Sequence, residues 1–480
     1  MAQNPLNAAA RWENVRALAL AAGLSEEEAS ERLDRRILVT HDANDPASLQ
    51  LISELIRVLS RTVAVALGAP DGISPYAAEL VVGCATPQTG GPHVFAVLCE
   101  DRCIIRRERS EKLAGAPTHA LLALIAACYV SAAAIHCAVG DGLPNPPPPE
   151  FDIPFDAFLD GGVNLFAPVD LGDAYLAGAG AIGNGFLWAA RHAPLRGQLH
   201  VVDDDIVSAG NLQRQIWFDG DDVGKPKAES LCRKAQPLMP NLRLMQSVCR
   251  LQEHRNRSDG AWLPRLIVAV DSRRARRHLQ NELPGEVFDA STTGSQEIVL
   301  HYNRQPTDLA CLGCIYTRDE QEVTHEQAVA AHLGVSIEAV RQERIDSATA
   351  RRICATHAHL APSSIEGLAF DTLYKQLCSS GQLKSVSGKQ VVAPFAFVSV
   401  LAGALLLLEV VRRHNGNGDA LANDWRVNPW RPPVAEMRHR RPRRPGCECC
   451  GRAEVRRVNA LLWGGRNSAG SMADAQSAST

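Results

Sequence analysis

The sequence reads as an α/β protein built on doubly wound, mostly parallel sheets. Short apolar strands alternate with helices from Ile37 onward, and a strand at Ala174–Ala177 runs into the glycine turn Gly178-Ala179-Gly180-Ala181-Ile182-Gly183. Two later strands, Gln198–Val202 and Leu266–Val270, end in acidic residues, which is how such a sheet furnishes the crevice at its carboxyl edge.

From the amino end, ENVRALALAAGL and SEEEASERL predict helices, the second opened by Ser25 and Glu28 at capping-box spacing. Strands are expected at Ile37–Thr40, Val63–Leu67, Leu80–Val82 and Val94–Leu98, with helices over Pro46–Leu59 and Thr118–Cys137. The proline run Pro146–Pro149 marks a linker, so residues 1–150 read as a first α/β domain. That domain has no glycine-rich phosphate loop, which leaves it structural, regulatory or partner-binding work. Residues 151–314 with 391–460 read as a second domain, 315–390 as a helical insert, and 461–480 as a low-complexity, disordered tail. Within the second domain the helix after the glycine turn is expected over Asn184–Arg191.

At 480 residues and 46% hydrophobic positions the chain can bury a large core. A net charge of −3 removes the global electrostatic argument for nucleic-acid binding. The start, MAQNPLNAAARWENVR, lacks the basic-then-apolar pattern of a secretory signal, so a cytoplasmic protein is expected. Two apolar runs, Ala120–Ile135 and Val391–Leu408, approach membrane-spanning length; Pro394 at the start and Glu409, Arg412 and Arg413 at the end make the longer one a buried core helix.

The chemistry concentrates after Gly178. Asp203 lies 20 positions beyond Gly183, the spacing of an acid that takes a ribose hydroxyl, so NAD and ATP are both served by this much of the pattern. Asn211-Leu212-Gln213-Arg214-Gln215 and Gly224-Lys225-Pro226-Lys227 follow, and Asp271 closes a third strand. Hydride transfer has no use for these charges near a phosphate. Cleavage of ATP does: cations such as Arg214 and Lys227 stabilise charge building on the phosphates, while a carboxylate, Asp205 or Asp271, holds magnesium.

DDDIVSAGNLQRQ, GKPKA and VAVDS, in that order after GAGAIG, resemble the adenylation domain of the ThiF/MoeB/HesA and ubiquitin-activating enzyme superfamily over residues 165–455. The resemblance implies a Rossmann-like fold and ATP-dependent adenylation of the C-terminal glycine of a ubiquitin-like protein. It implies that Gly178, Gly180 and Gly183 form the phosphate loop, that Asp203 contacts ribose, and that Asp205, Asn211, Arg214, Gln215 and Lys227 line the nucleotide. It gives Asp271 the magnesium. Ala181 departs from the family's usual glycine by one methyl group.

Cys311-Leu312-Gly313-Cys314 and Cys447-Glu448-Cys449-Cys450, two thiol pairs 133 positions apart among fourteen cysteines, suit one structural tetrahedral zinc; Cys449 competes with Cys450 as fourth ligand. The insert holds Cys354 and Cys378. Thioester-forming relatives place their cysteine ahead of the helix corresponding to Pro394–Arg413, which favours Cys378, followed by Ser379, Ser380 and Gly381. Glu326–Arg344 has the rhythm of a helix-turn-helix but few cations on its second helix, and the basic run Arg438–Arg444 suits an acidic partner or solvent better than nucleic acid.

The resulting expectation is an activating enzyme that uses ATP and magnesium, carries zinc, forms a thioester on Cys378, and serves a ubiquitin-like protein and a conjugating enzyme, as in large bacterial antiviral conjugation systems. In that setting the first domain looks similar to an inactive adenylation half. Sulfur-carrier activation is the nearest alternative, and an NAD-dependent oxidoreductase a more distant one.

Overall fold

The computed structural model describes residues 6–72, 75–109, 114–140, 142–143, 146–159, 162–254, 263–318, 320–342, 345–368, 370, 373–374, 377, 394–415, 422–434 and 437–464. The chain divides into a large unit, 1–316 with 393–480, and a small one, 317–392.

The large unit opens with α1 (Ala8–Ala22) and α2 (Glu26–Asp34), and the Ser25–Glu28 capping box forms as its spacing predicts. There follow β1 (Arg36–His41), α3 (Pro46–Leu59), β2 (Val65–Leu67), β3 (Tyr76–Val82), β4 (His93–Leu98), β5 (Arg102–Arg106), α4 (Ala120–Val139), β6 (Glu150–Pro154) and α5 (Asp156–Leu159). These strands make a six-stranded sheet in the order β2-β1-β3-β4-β5-β6, parallel through β4 and antiparallel beyond. The proline run is therefore no domain boundary. It leads into β6, which pairs with β5 as part of the first sheet, so that sheet extends past residue 150.

The second sheet is built from β7 (Val169–Ala177), α6 (Ala181–Ala190), β8 (Leu195–Val202), α7 (Lys227–Ala235), β9 (Leu242–Ser247), β10 (Arg265–Val268), α8 (Arg273–Asn281), β11 (Glu286–Thr293) and β12 (Glu297–Arg304). With β13 (Asp424–Val427) and β14 (Arg438–His439) it has eight strands in the order β14-β13-β12-β11-β10-β7-β8-β9. The stretch from β11 to β9 is parallel, and the strand order reverses beside β7, where its loop to α6 carries the glycines. Helix α6 starts at Ala181, ahead of the expected Asn184, so Gly183 and Asn184 lie in its first turn.

Both apolar runs are core helices. Among the described residues α4 is the helix long and apolar enough to cross a membrane, and 89% of its apolar window is buried. The second run, Ala396–Asn415, packs on α4, on α6 and on the second sheet. Its contact with α6 is backbone on backbone: a Cβ on Gly403 would lie 2.2 Å from the Phe186 nitrogen, and one on Gly185 2.7 Å from the Ser399 carbonyl oxygen. A helix covered on all sides has no polar face to show, which explains why its sequence imitates a membrane span.

The C-terminal helix Ala453–Trp463 runs past residue 460, correcting the expected start of the tail at 461. Buried Trp463 donates from Nε1 to the Leu283 carbonyl at 3.1 Å and lies where Gly285 leaves room for its ring. Residues 465–480 fall outside the described residues.

The small unit contains α10 (Glu320–Leu333), α11 (Ile337–Arg341), α12 (Ser347–Thr356) and α13 (Pro362–Ile365), after the short α9 (Leu312–Ile315) of the large unit. Its core joins Val329, Leu333, Val340, Ile353, Phe370 and Tyr374. Gly334, at φ +66°, makes the α10–α11 turn. The second helix of the supposed helix-turn-helix has only five residues, and its one cation, Arg341, is bonded at 3.0 Å to the buried Glu326, so it brings no surplus charge to a phosphate backbone.

Glu54 on α3 ties the first sheet's helices to the second sheet's. Its buried carboxylate accepts from Trp188 Nε1 at 2.8 Å, from Arg191 at 3.0 Å and pairs with His192 at 3.0 Å. Burial alone would push this carboxyl up, yet the bond to His192 and the Arg191 charge outweigh it and hold the group below its ordinary 4.5. A carboxyl depressed on folding stabilises the fold above its unfolded value and ceases to do so as pH falls through the folded one. Glu54→Ala is expected to cost about 3 kcal/mol in urea unfolding at pH 7, since it strands Arg191 in the interior. The difference from wild type should shrink when the measurement is repeated below pH 4.5.

Candidate active site and metal centre

The glycine turn between β7 and α6 has a separate steric reason at each end. Gly178 has φ +103°, and a Cβ there would lie 2.8 Å from the Ala269 carbonyl oxygen; one on Gly183 would lie 2.1 Å from the Gly178 oxygen. At Gly180 nothing stands within 4 Å, so the turn faces open space there. Gly180 is also the N-cap of α6 and supplies no side-chain cap, leaving that helix's first amides to another acceptor. Ala181, the departure from the family's glycine, is the first helical residue, where alanine is well tolerated.

Asp203, just past β8, accepts from the Ala179 amide at 2.6 Å and from the Asp205 amide at 2.8 Å. Burial raises its carboxyl, the Lys227 charge opposes that, and the Asp205 charge adds to it. Lys227, only 8% exposed at the start of α7, reaches back to the exposed Asp205 at 2.9 Å. The backbones repeat this link, since the Lys227 amide donates to the Asp205 carbonyl at 2.9 Å.

Asn211 caps its own turn, accepting the Ser208 amide at 3.0 Å through its side chain, so the residue acts here as a local brace. Gln215 is buried, and its Oε1 has no hydrogen-bond partner among the described residues. Burial lowers the Arg214 guanidinium, against the opposing charges of Glu13 and Asp271. Glu13 belongs to helix α1, and Asp271 is exposed and follows β10. The structure thus brings Asp203, Asp205 and Lys227 together beside the turn of Gly178, Gly180 and Gly183 at the carboxyl edge of the second sheet, with Arg214 near Asp271, and the uncapped amides and cations there suit an anionic ligand.

Asn184 is a contributor that sequence reasoning passed over. Its amide donates to the carbonyls of Ala179 at 2.9 Å and Gly180 at 3.0 Å, and its Oδ1 accepts from Trp217, joining the glycine turn to the segment that carries Arg214. The signal was an asparagine one residue beyond GAGAIG, unusual inside a helix unless its side chain has bonds to make. The corresponding turn of the first sheet, β1 to α3, is already filled. Asp45 caps α3, accepting from Ala47 at 3.1 Å, Ser48 N at 3.2 Å and Ser48 Oγ at 2.6 Å. A phosphate brought there would meet a carboxylate.

The Sγ atoms of Cys311, Cys314, Cys447 and Cys450 all lie within 4.8 Å of one another, with 3.6 Å between Cys311 and Cys447 and 3.4 Å between Cys314 and Cys450. Four thiolates around zinc at tetrahedral angles stand about 3.8 Å apart, so the cluster fits that ion. Hydrogen bonding from Cys314 holds the Cys311 thiol well below its ordinary range. Cys449 instead donates to Asn281 Oδ1 at 3.3 Å, outside the tetrad. Of the two insert cysteines, Cys354 is half-buried on α12 against the small unit's core, and Cys378 lies outside the described residues. One zinc per chain is expected by elemental analysis; Cys450→Ser should lose it and lower the melting temperature by several degrees, while Cys449→Ser should retain it.

Comparison with known proteins places residues 173–449, more than half of the chain, in the ThiF family, and residues 6–157 match the E1 N-terminal domain. The uncharacterised protein y4jF of Sinorhizobium fredii is 32% identical over 55% of this chain and 53% of its own length. The SAMP-activating enzyme E1 of Haloferax volcanii is 52% identical over 10% of this chain and 17% of its own. Human ubiquitin-like modifier-activating enzyme 7 is 37% identical over 22% and 11%. The match therefore spans about half the length of the first relative and smaller shares of the others. With the glycine turn and the acidic strand ends assembled at one sheet edge, the chain belongs to the ThiF family.

Proposed function

We propose that the protein adenylates the C-terminal glycine of a ubiquitin-like protein and then transfers it to its own thiol. The observation that carries this reading is the Asp203–Asp205–Lys227 chain of contacts beside the uncapped start of α6, which combines ribose, metal and phosphate ligands in one crevice. An oxidoreductase would leave Lys227 and Arg214 without a task.

The glycine carboxylate attacks the α-phosphorus of ATP, forming an acyl-phosphate bond as the α–β bond breaks and pyrophosphate leaves. Arg214 and Lys227 offset charge on the phosphates, the α6 amides orient them, and Asp203 holds the ribose. Asp271 or Asp205 would hold magnesium, which shields the phosphates from the incoming carboxylate. In the second step the Cys378 thiolate attacks the acyl carbonyl, a thioester forms, AMP departs, and the thiol proton passes to solvent. A conjugating enzyme then receives the acyl group. Bacterial antiviral conjugation in the cytoplasm is the setting proposed. The first sheet, its helix start closed by Asp45, serves as the inactive half, which supports an enzyme with one working nucleotide site per chain.

The test is to mix the full chain with magnesium ATP and a ubiquitin-like protein encoded beside its gene, following pyrophosphate exchange and a gel run with and without reductant. Asp271→Ala should abolish exchange. Cys378→Ala should spare exchange and remove an ATP-dependent, reductant-sensitive adduct. Exchange with no such adduct in wild type would favour sulfur-carrier activation, and NAD binding without ATP binding would sink the adenylation reading.

A further inference from the structure

Arg61, in the loop after α3, is 1% exposed and belongs to the first sheet's domain, yet all three of its side-chain hydrogen bonds go to the segment bearing Arg214. Its Nη1 donates to the Leu212 carbonyl at 2.6 Å, and Nη2 donates to the carbonyls of Ile216 and Phe218, each at 3.0 Å. Arg57, one turn earlier on α3, donates to the Ile216 carbonyl at 2.7 Å. Asn14 of α1 holds the Arg61 carbonyl at 2.8 Å, so the guanidinium projects from a fixed backbone. Among the described residues no carboxylate bonds directly to Arg61; burial, and then the Arg57 charge, pull its pKa down to about 9 against the opposing charge of Asp219, and its hydrogen bonds all go to carbonyls.

We propose that Arg61 is a positioning residue for the nucleotide site, a forked clamp through which the first domain fixes the backbone of Leu212–Phe218 and so aims Arg214 and Gln215 into the crevice. A buried cation hydrogen-bonded only to carbonyls is an expensive way to fill space, and an apolar side chain would do that better. What the planar fork adds is geometry: it binds carbonyls on both sides of Arg214 at once, in an arrangement that one rigid group defines. Asn184 grips the same segment from the glycine turn through Trp217, so the clamp and the phosphate loop share a register. The first domain, whose own helix start is closed to phosphate, would thereby still act on catalysis.

This inference rests on the adenylation reading for its kinetic consequence and not for its structural one, so two measurements are made on the full chain. The first is hydrogen exchange of the Arg214, Gln215 and Phe218 amides, which bond within the segment at 3.1, 2.9 and 3.1 Å. Arg61→Met should speed exchange of these amides while far-ultraviolet circular dichroism stays as in wild type, and Arg61→Lys, able to reach fewer carbonyls, should fall between. Unchanged protection in a folded Arg61→Met or Arg61→Lys protein would overturn the proposal. The second is pyrophosphate exchange in a double-mutant cycle. Arg61→Met should lower kcat/KM by about 100-fold, the loss that misplacement by about 1 Å brings, with partial rescue by Arg61→Lys. In an Arg214→Ala background the same substitution should cost less than about 3-fold, because little remains to be aimed. An equal further loss in both backgrounds would make Arg61 a structural residue only. Absence of exchange in wild type would defeat the adenylation reading, and the amide measurement would still decide the clamp.

Discussion

Two largely apolar helices, α4 and Ala396–Asn415, pack against each other, one on each sheet, and the rest of the large unit is arranged around that seam. One packs on the first sheet and the other on the second, so neither keeps a face for water. Gly185 and Gly403 let α6 approach Ala396–Asn415 at backbone distance, and α6 starts at the phosphate turn. The position of the crevice is thus set by a contact between small residues on the far side of its own helix. Polar links, Glu54 to Trp188, Arg191 and His192, then register the two halves along the seam.

The two sheets differ in how their first strand-to-helix turns are capped. Both have a parallel strand running into a helix. In the second the helix start is bare and backed by glycines; in the first an aspartate already accepts the amides. Helix dipoles are alike in the two turns, so the difference lies in whether the protein has supplied its own anion. The four-thiol cluster brings the Cys447–Cys450 turn onto α9, and the terminal helix is anchored by Trp463. A metal there would join segments far apart in sequence, which is where such a link restricts the unfolded chain most.

The glycine turn and the acidic strand ends around it were legible in the residues alone, because these parts are local. A glycine turn, an acid at the next strand end and a short motif after it each have a steric or electrostatic reason that survives without tertiary detail, and the two thiol pairs carry their chemistry in their spacing. What only the tertiary structure decided depends on partners distant in the chain. The pairing of β6 with β5 moved the end of the first sheet beyond the proline run, since strand partnership is a matter of register with another segment. Trp463 ordered a helix in what composition read as tail, because Gly285 had left space for its ring. The choice between Cys449 and Cys450 turned on which way each sulfur points from the turn, toward Asn281 or toward the other three thiols. The bonds from Arg61 to Leu212, Ile216 and Phe218 run from a side chain to backbone carbonyls, groups that every residue carries, so no residue pattern could announce them.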